Sequence, residues 1–151
     1  MNAYLEIEEY SSQMTRIVAT IRDFRFRVNE YSTRYGNMNL RWSEPWDIQC
    51  NFDQTWPNNG RPGCYAIFDR DLKLLYIGKT INFGKRLGEH FKVDPTDPTR
   101  KRGLPKTTEA WSPKAHYVLT VALDHAYEAP SLEEYLIEKL QPCGNRMGIR
   151  T

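Results

Sequence analysis

Among the side chains between positions 65 and 90, five could converge on one surface to do ionic chemistry: Tyr65, Tyr76, Lys79, Arg86 and His90. Two phenols, an ammonium, a guanidinium and an imidazole can together hold an anionic oxygen, stabilise charge building on it and move a proton beside it. Phosphate handling is the chemistry such a set suits. For the five to meet, the stretch GCYAIFDRDLKLLYIGKTINFGKRLGEH (63–90) must fold back on itself. Gly63 to Phe68 and Lys73 to Ile77 are short apolar runs rich in β-formers around the polar turn Asp69-Arg70-Asp71, which predicts an antiparallel hairpin. Alternation puts Tyr65 and Ile67 on one face of the first strand, with Cys64, Ala66 and Phe68 on the other. Gly78 is expected to end the second strand and turn the backbone into a helix that begins near Thr80 or Asn82 and runs to about Phe91. Arg86 and His90, four apart, share one helical face, and Phe83, Leu87 and Phe91 form the apolar one.

The elements around this stretch follow from the remaining periodicities. Apolar residues at Ile7, Tyr10, Met14, Ile17, Ile21, Phe24, Val28 and Tyr31 recur three and four apart, which predicts one long helix from about Ala3 to Tyr35, ended by Gly36 and Asn37. So narrow a seam buries either against the chain's own domain or against a second copy, as a homodimer. Residues 37–61 form an irregular connection in which Trp42, Trp46 and Trp56 either pin a loop to the core or stack on bases, pinning being the commoner use. Residues 92–114 hold four prolines and the run Arg100-Lys101-Arg102, and read as a basic loop. His116 to Leu123 predicts a third strand, and a last helix is expected to open at Pro130-Ser131, with Ser131 and Glu134 at capping-box spacing, and to stop at Pro142. The expected architecture is α+β: a three-stranded antiparallel sheet flanked by helices over 62–151, preceded by a long N-terminal helix over 1–36.

Composition narrows the class. At 151 residues the chain is one ordinary domain with an appended element. No apolar run reaches the length of a membrane span, and the acidic start MNAYLEIEEY is unlike a secretory signal, so a cytoplasmic protein is expected. Cys50, Cys64 and Cys143 are scattered and form no C-x-x-C pair, which argues against a zinc finger or a disulfide framework. The net charge is only +2, but residues 79–114 carry 9 basic against 4 acidic side chains. Clustering of basic residues beside a polar site points to a polyanion, with Lys85, Lys92, Arg100, Lys101, Arg102 and Lys106 as candidate nucleic-acid contacts.

Taken in order, Gly63-Cys64-Tyr65, Tyr76-Ile77-Gly78-Lys79, Arg86, His90, Glu133 and Asn145 resemble the GIY-YIG nuclease domain over about residues 62–146. A lone Y-I-G would carry no weight; the ordered set on the expected strand, strand, helix and helix is specific. Cys64 stands where the family name has Ile, at a variable inward position. The resemblance implies hydrolysis of DNA phosphodiester bonds with one divalent cation, Mg²⁺ or Mn²⁺, and Glu133 as its carboxylate ligand. It further implies that Arg86 contacts the scissile phosphate, that Tyr65 takes a proton from the attacking water with Lys79 and Arg86 favouring its phenolate, and that Tyr76 holds the water or the first phenol. His90 would bond the phosphate or share the proton transfer, and Asn145 would orient Glu133 or line the site.

A restriction-like or phage and mobile-element nuclease is the expectation: no second domain follows residue 151 in the sequence as given, which argues against a homing type, and the compact chain with its own extension argues against a repair role. The alternatives are a repair-type structure-specific nuclease, a non-catalytic nucleic-acid-binding module, and a structural protein assembling through its N-terminal helix. Retention of Tyr65, Tyr76, Arg86, His90 and Glu133 together argues against a decayed site.

Overall fold

In the computed structural model, residues 18–36 and 40–145 are described. The segment GCYAIF forms a strand, β3 (Gly63–Phe68), buried at every position, and a strand buried on both faces must lie inside a layered core. It does: β3 lies between β4 (Leu74–Thr80) and β7 (Tyr117–Ala122), antiparallel to both. Two short strands, β1 (Arg41–Trp42) and β2 (Trp46–Asp47), pair with the far side of β7. A separate ribbon joins β5 (Phe91–Val93) to β6 (Gly103–Pro105). One face of the sheet is covered by α1 (Ile21–Arg34) and α3 (Ala129–Leu140), whose Phe24, Val28, Leu132 and Leu136 pack against Cys64, Ala66 and Phe68. The other face is covered by α2 (Phe83–His90), whose Phe83 and Leu87 pack on Tyr65 and Ile67. The α+β fold expected from the sequence is thus present, its three main strands extended by two short ones.

Several boundaries differ for physical reasons. The second strand runs on to Thr80, because Cys64 and Gly63 still find cross-strand partners in Lys79 and Thr80, so Gly78 lies inside β4 instead of ending it. A single helix from residue 3 to 35 is not what forms: Thr20 is extended at φ −103°, ψ 174°, and its side chain and that of Asp23 cap each other's backbone. Thr20 also bridges to Lys73, which ties the start of α1 to the hairpin turn. The part of that expected helix over residues 1–17 lies outside the described residues. Within α1, Phe24, Val28 and Tyr31 are buried in the chain's own core, so the described part of the seam offers no apolar surface to a second copy. Polar contacts fasten it further, with Tyr31 Oη and Ser131 Oγ 2.6 Å apart and the Tyr135 hydroxyl donating to the Glu30 carboxylate.

That contact also explains why Ser131 is not a cap. Proline fits the first turn of a helix, so α3 starts at Ala129 with Pro130 inside the turn and Ser131 free to reach Tyr31. The tryptophans of the 37–61 connection pack inward: Trp42 lies edge-on to Phe24, while Trp46, Trp56 and Phe91 cluster with centroid distances of 4.4 and 6.1 Å. Residues 92–114 are more ordered than a loop. The tip of the β5–β6 ribbon is organised by Asp94 and Asp97, whose carboxylates accept from the backbone N–H groups of Thr96, Thr99, Lys101 and Arg102.

Candidate active site

The site straddles β4, the edge strand. Register sets Tyr76 opposite Ile67, on the α2 face with Tyr65, and sets Lys79 opposite Cys64, on the α3 face. Two layers therefore meet around one edge, at a cleft of about 460 Å³ lined by Tyr76, Arg86, His90, Glu133 and Asn145, with Glu89, Thr107, Glu109 and Trp111 along its wall.

On the α2 side, Tyr65 is fully buried. Its hydroxyl lies 2.8 Å from His90 Nε2 and accepts a 3.3 Å hydrogen bond from Arg86 Nε–H. Gly78 makes this depth available, since a Cβ there would fall 2.3 Å from Tyr65 Oη. Burial pushes the Tyr65 phenol well above its ordinary value, aided by Tyr76 and opposed by Arg86. Burial and then the Arg86 charge drive the His90 imidazole down to about 4. At neutral pH the pair is therefore a neutral phenol and a neutral imidazole. A hydroxyl that accepts from Arg86 and donates to Nε2 puts the ring proton on Nδ1, whereas one that also accepts from Nε2–H leaves Nδ1 bare. Nδ1 is buried without a hydrogen-bond partner.

On the α3 side, Glu133 Oε1 is 3.5 Å from Lys79 Nζ. Burial raises the Glu133 carboxyl above its usual range, while Lys79 acts in the opposite sense. Asn145 bonds to β4 and not to Glu133: its Oδ1 accepts from Ile77 N–H at 2.8 Å and its Nδ2 donates to Ile77 O at 2.7 Å. With Gly144 N–H donating to Leu75 O at 2.8 Å, the segment after α3 closes the open edge of β4.

The donor set suits a hard, hydrated cation. Among the described residues no three His, Cys, Asp or Glu side chains come together. Glu133 alone, a part-buried carboxylate in the cleft, matches an ion that keeps most of its water and takes further oxygens from a bound phosphate.

Of the residues singled out in the sequence, Tyr76, Arg86, His90, Glu133 and Asn145 line one cleft, Tyr65 stands behind it bonded to two of them, and Lys79 pairs with Glu133. The candidate nucleic-acid contacts are all exposed, Lys85 on α2, Lys92 on β5 and Arg100, Lys101 and Arg102 at the ribbon tip. Two of the six have structural partners: Arg102 Nε lies 3.9 Å from Asp94, and Lys106 Nζ donates to Gly88 O at 2.8 Å near the C-terminal end of α2. The sequence reading missed Glu89 and Trp111. Glu89 had a local signal, three residues after Arg86, and it accepts from Arg86 Nη1 at 2.7 Å. Trp111 had none; it reaches the site through a long-range stack on Tyr76, with centroids 5.0 Å apart and rings 21° from parallel.

A family model described as the GIY-YIG catalytic domain matches residues 61–148. The UvrABC system protein C of Pseudomonas fluorescens (strain Pf0-1) is 38% identical over 87 residues, which is 58% of this chain and 13% of the relative. Those of Ectopseudomonas mendocina (strain ymp) and Pseudomonas aeruginosa (strain LESB58) are 38% identical with the same coverage. The chain thus spans about an eighth of the length of these relatives.

Proposed function

The chain belongs to the GIY-YIG family of nuclease domains, and from that membership we propose that it is a metal-dependent endonuclease hydrolysing DNA phosphodiester bonds. The observation that carries this reading is the joining of Tyr65, His90 and Arg86 by hydrogen bonds on one side of the β4 edge to the cleft that Glu133 enters from the other.

A phosphodiester resists attack because it is anionic, so the site must neutralise it and deliver a water in line. A divalent cation, Mg²⁺ or Mn²⁺, held by Glu133 together with phosphate oxygens and water, would supply part of that neutralisation. Lys79 favours the ionised Glu133 carboxylate against the pull of burial. Arg86 turns its guanidinium onto a phosphate oxygen and stabilises the charge that grows there. Tyr65 cannot act as a base while its phenol is protonated. Its proton moves to His90 Nε2, 2.8 Å away, as its oxygen takes one from the attacking water, so that no free phenolate forms in a site that raises the phenol and lowers the imidazole. Tyr76, partly exposed in the cleft and held flat by Trp111, orients that water. The exposed basic side chains of α2 and the β5–β6 ribbon, Lys85, Lys92, Arg100 and Lys101 among them, steer the flanking backbone.

The type of nuclease we favour is restriction-like or that of a phage or mobile element, without a dimer through the seam of α1, which is buried in the chain's own core. The similarity to the C proteins of the UvrABC system supports a repair-type nuclease as the second reading. Cleavage of supercoiled plasmid, mixed genomic DNA and damaged or branched duplexes with Mg²⁺ or Mn²⁺, beside Glu133→Ala and Arg86→Ala, tests both. Discrete fragments lost in both variants support the first reading, and nicks confined to damaged or branched DNA support the second. Cleavage that is absent on every substrate, or equal in the variants, removes the site assignment.

A further inference from the structure

Arg86 faces the cleft already engaged. Its Nη1 donates to Glu89 Oε2 at 2.7 Å and its Nε to the Tyr65 hydroxyl at 3.3 Å. Both members of the ion pair line the cleft, and their side chains are 41% and 50% exposed. A carboxylate oxygen on a guanidinium has the charge and reach of a phosphate oxygen.

We propose that Glu89 is a specificity-determining residue of the cleft, whose carboxylate holds the Arg86 guanidinium in place of a phosphate oxygen, so that a phosphodiester binds only by exchanging with it. This rests on the proposed phosphate role of Arg86. The exchange needs no repacking, because both side chains are half in solvent. A second cation is at hand for the displaced carboxylate: Lys85 lies four residues back on α2, at the spacing that brings side chains together, and its charge already acts on Glu89. Through the exchange the pair penalises any anion that touches Arg86 alone. Inorganic phosphate or a mononucleotide bears the full penalty, whereas a nucleic-acid strand offsets it with contacts along α2 and the ribbon. Glu89 also keeps Arg86 extended beside Tyr65 while the cleft is empty.

An exposed ion pair sets the expected effect at about two- to fivefold in affinity. The experiment compares the full chain with Glu89→Gln, and with Glu44→Gln as a control for net charge, since Glu44 is an exposed carboxylate at the opposite edge of the sheet. Inorganic phosphate is titrated and followed on the His90 ring resonances, and plasmid cleavage is followed separately. Glu89→Gln is expected to bind phosphate about two- to fivefold more tightly and to lower KM for DNA, the gain lying in KM and not in kcat, while Glu44→Gln changes neither. Phosphate affinity that is unchanged or weaker in Glu89→Gln, or raised equally in Glu44→Gln, overturns the inference. Tighter phosphate binding by a chain that cuts no DNA would uphold it and sink the nuclease reading instead.

Discussion

Replacing Gly78 by alanine asks whether the chemistry depends on the depth at which Tyr65 sits. A Cβ at position 78 would lie 2.3 Å from both Cζ and Oη of Tyr65, where ordinary contact begins at 3.4 Å. The end of the phenol must therefore retreat by about 1 Å. It has nowhere easy to go: Tyr65 is fully buried, its strand is paired on both sides, and Phe83 and Leu87 close over it. Forcing a methyl into a close-packed interior costs about 1–3 kcal/mol, which at this chain length lowers Tm by roughly 2–4 °C per kcal/mol. A retreat of that size also takes the 2.8 and 3.3 Å bonds to His90 and Arg86 beyond hydrogen-bonding range, and a misplacement of about 1 Å at a reacting group costs on the order of 100-fold in rate. Gly78 does not use the left-handed backbone region, so alanine meets no backbone objection and the clash alone is tested. Thermal unfolding and single-turnover cleavage are the readouts, beside Gly88→Ala, whose Cβ would enter open space on α2. Gly88→Ala should keep both stability and rate. A Gly78→Ala chain with a lowered Tm and the wild-type rate would refute the placement of Tyr65 in the chemistry, and one unchanged in both would refute the depth at which Tyr65 sits.

The other expectations concern His90 and Asn145. The His90 imidazole is held down to about 4 in the folded chain against 6.5 unfolded, so between those values the unfolded state holds more protons and stability falls as pH drops. The contribution between pH 7 and pH 4 is about 3 kcal/mol, to be seen as a smaller acid loss in urea unfolding of His90→Gln; equal loss in both chains would contradict it. Asn145→Ala removes two hydrogen bonds to Ile77 worth about 1 kcal/mol each. It should speed amide exchange at Ile77, whereas unchanged exchange would mean that the segment after α3 does not close the edge of β4.

How much of this was legible depended on distance along the chain. Tyr65, Tyr76, Arg86 and His90 lie on a contiguous strand, turn, strand and helix, and the periods of 2 and 3.6 place each on its face without any long-range information. The two helix starts show where local reading fails. Thr20-x-x-Asp23 and Ser131-x-x-Glu134 present nearly the same capping pattern, yet the first caps a helix and the second does not. Apolar spacing running on from Ile17 to Ile21 hid the first, and Pro130, which starts α3 a turn earlier, overrode the second. What separates them is tertiary: Thr20 bridges Lys73 on the hairpin, and Ser131 meets Tyr31 across the helix pair. Trp111 belongs to the same class, since nothing near position 111 indicates that it will stack on a residue 35 positions earlier.

The position of the site follows from one number, the three-residue interval between Tyr76 and Lys79. Side chains an odd number apart on a strand point to opposite faces, so the phenol and the ammonium cannot meet across a covered sheet. They can act on one ligand only where the sheet ends, which requires β4 to be the edge strand. The edge is also what lets Glu133, from the α3 layer, share a cleft with Arg86 and His90, from the α2 layer. An open edge ordinarily invites another strand, and one added here would fill the cleft. The bonds from Gly144 and Asn145 to Leu75 and Ile77 occupy that edge with the chain's own backbone and amide, and so leave the cleft open while denying it to a β-strand.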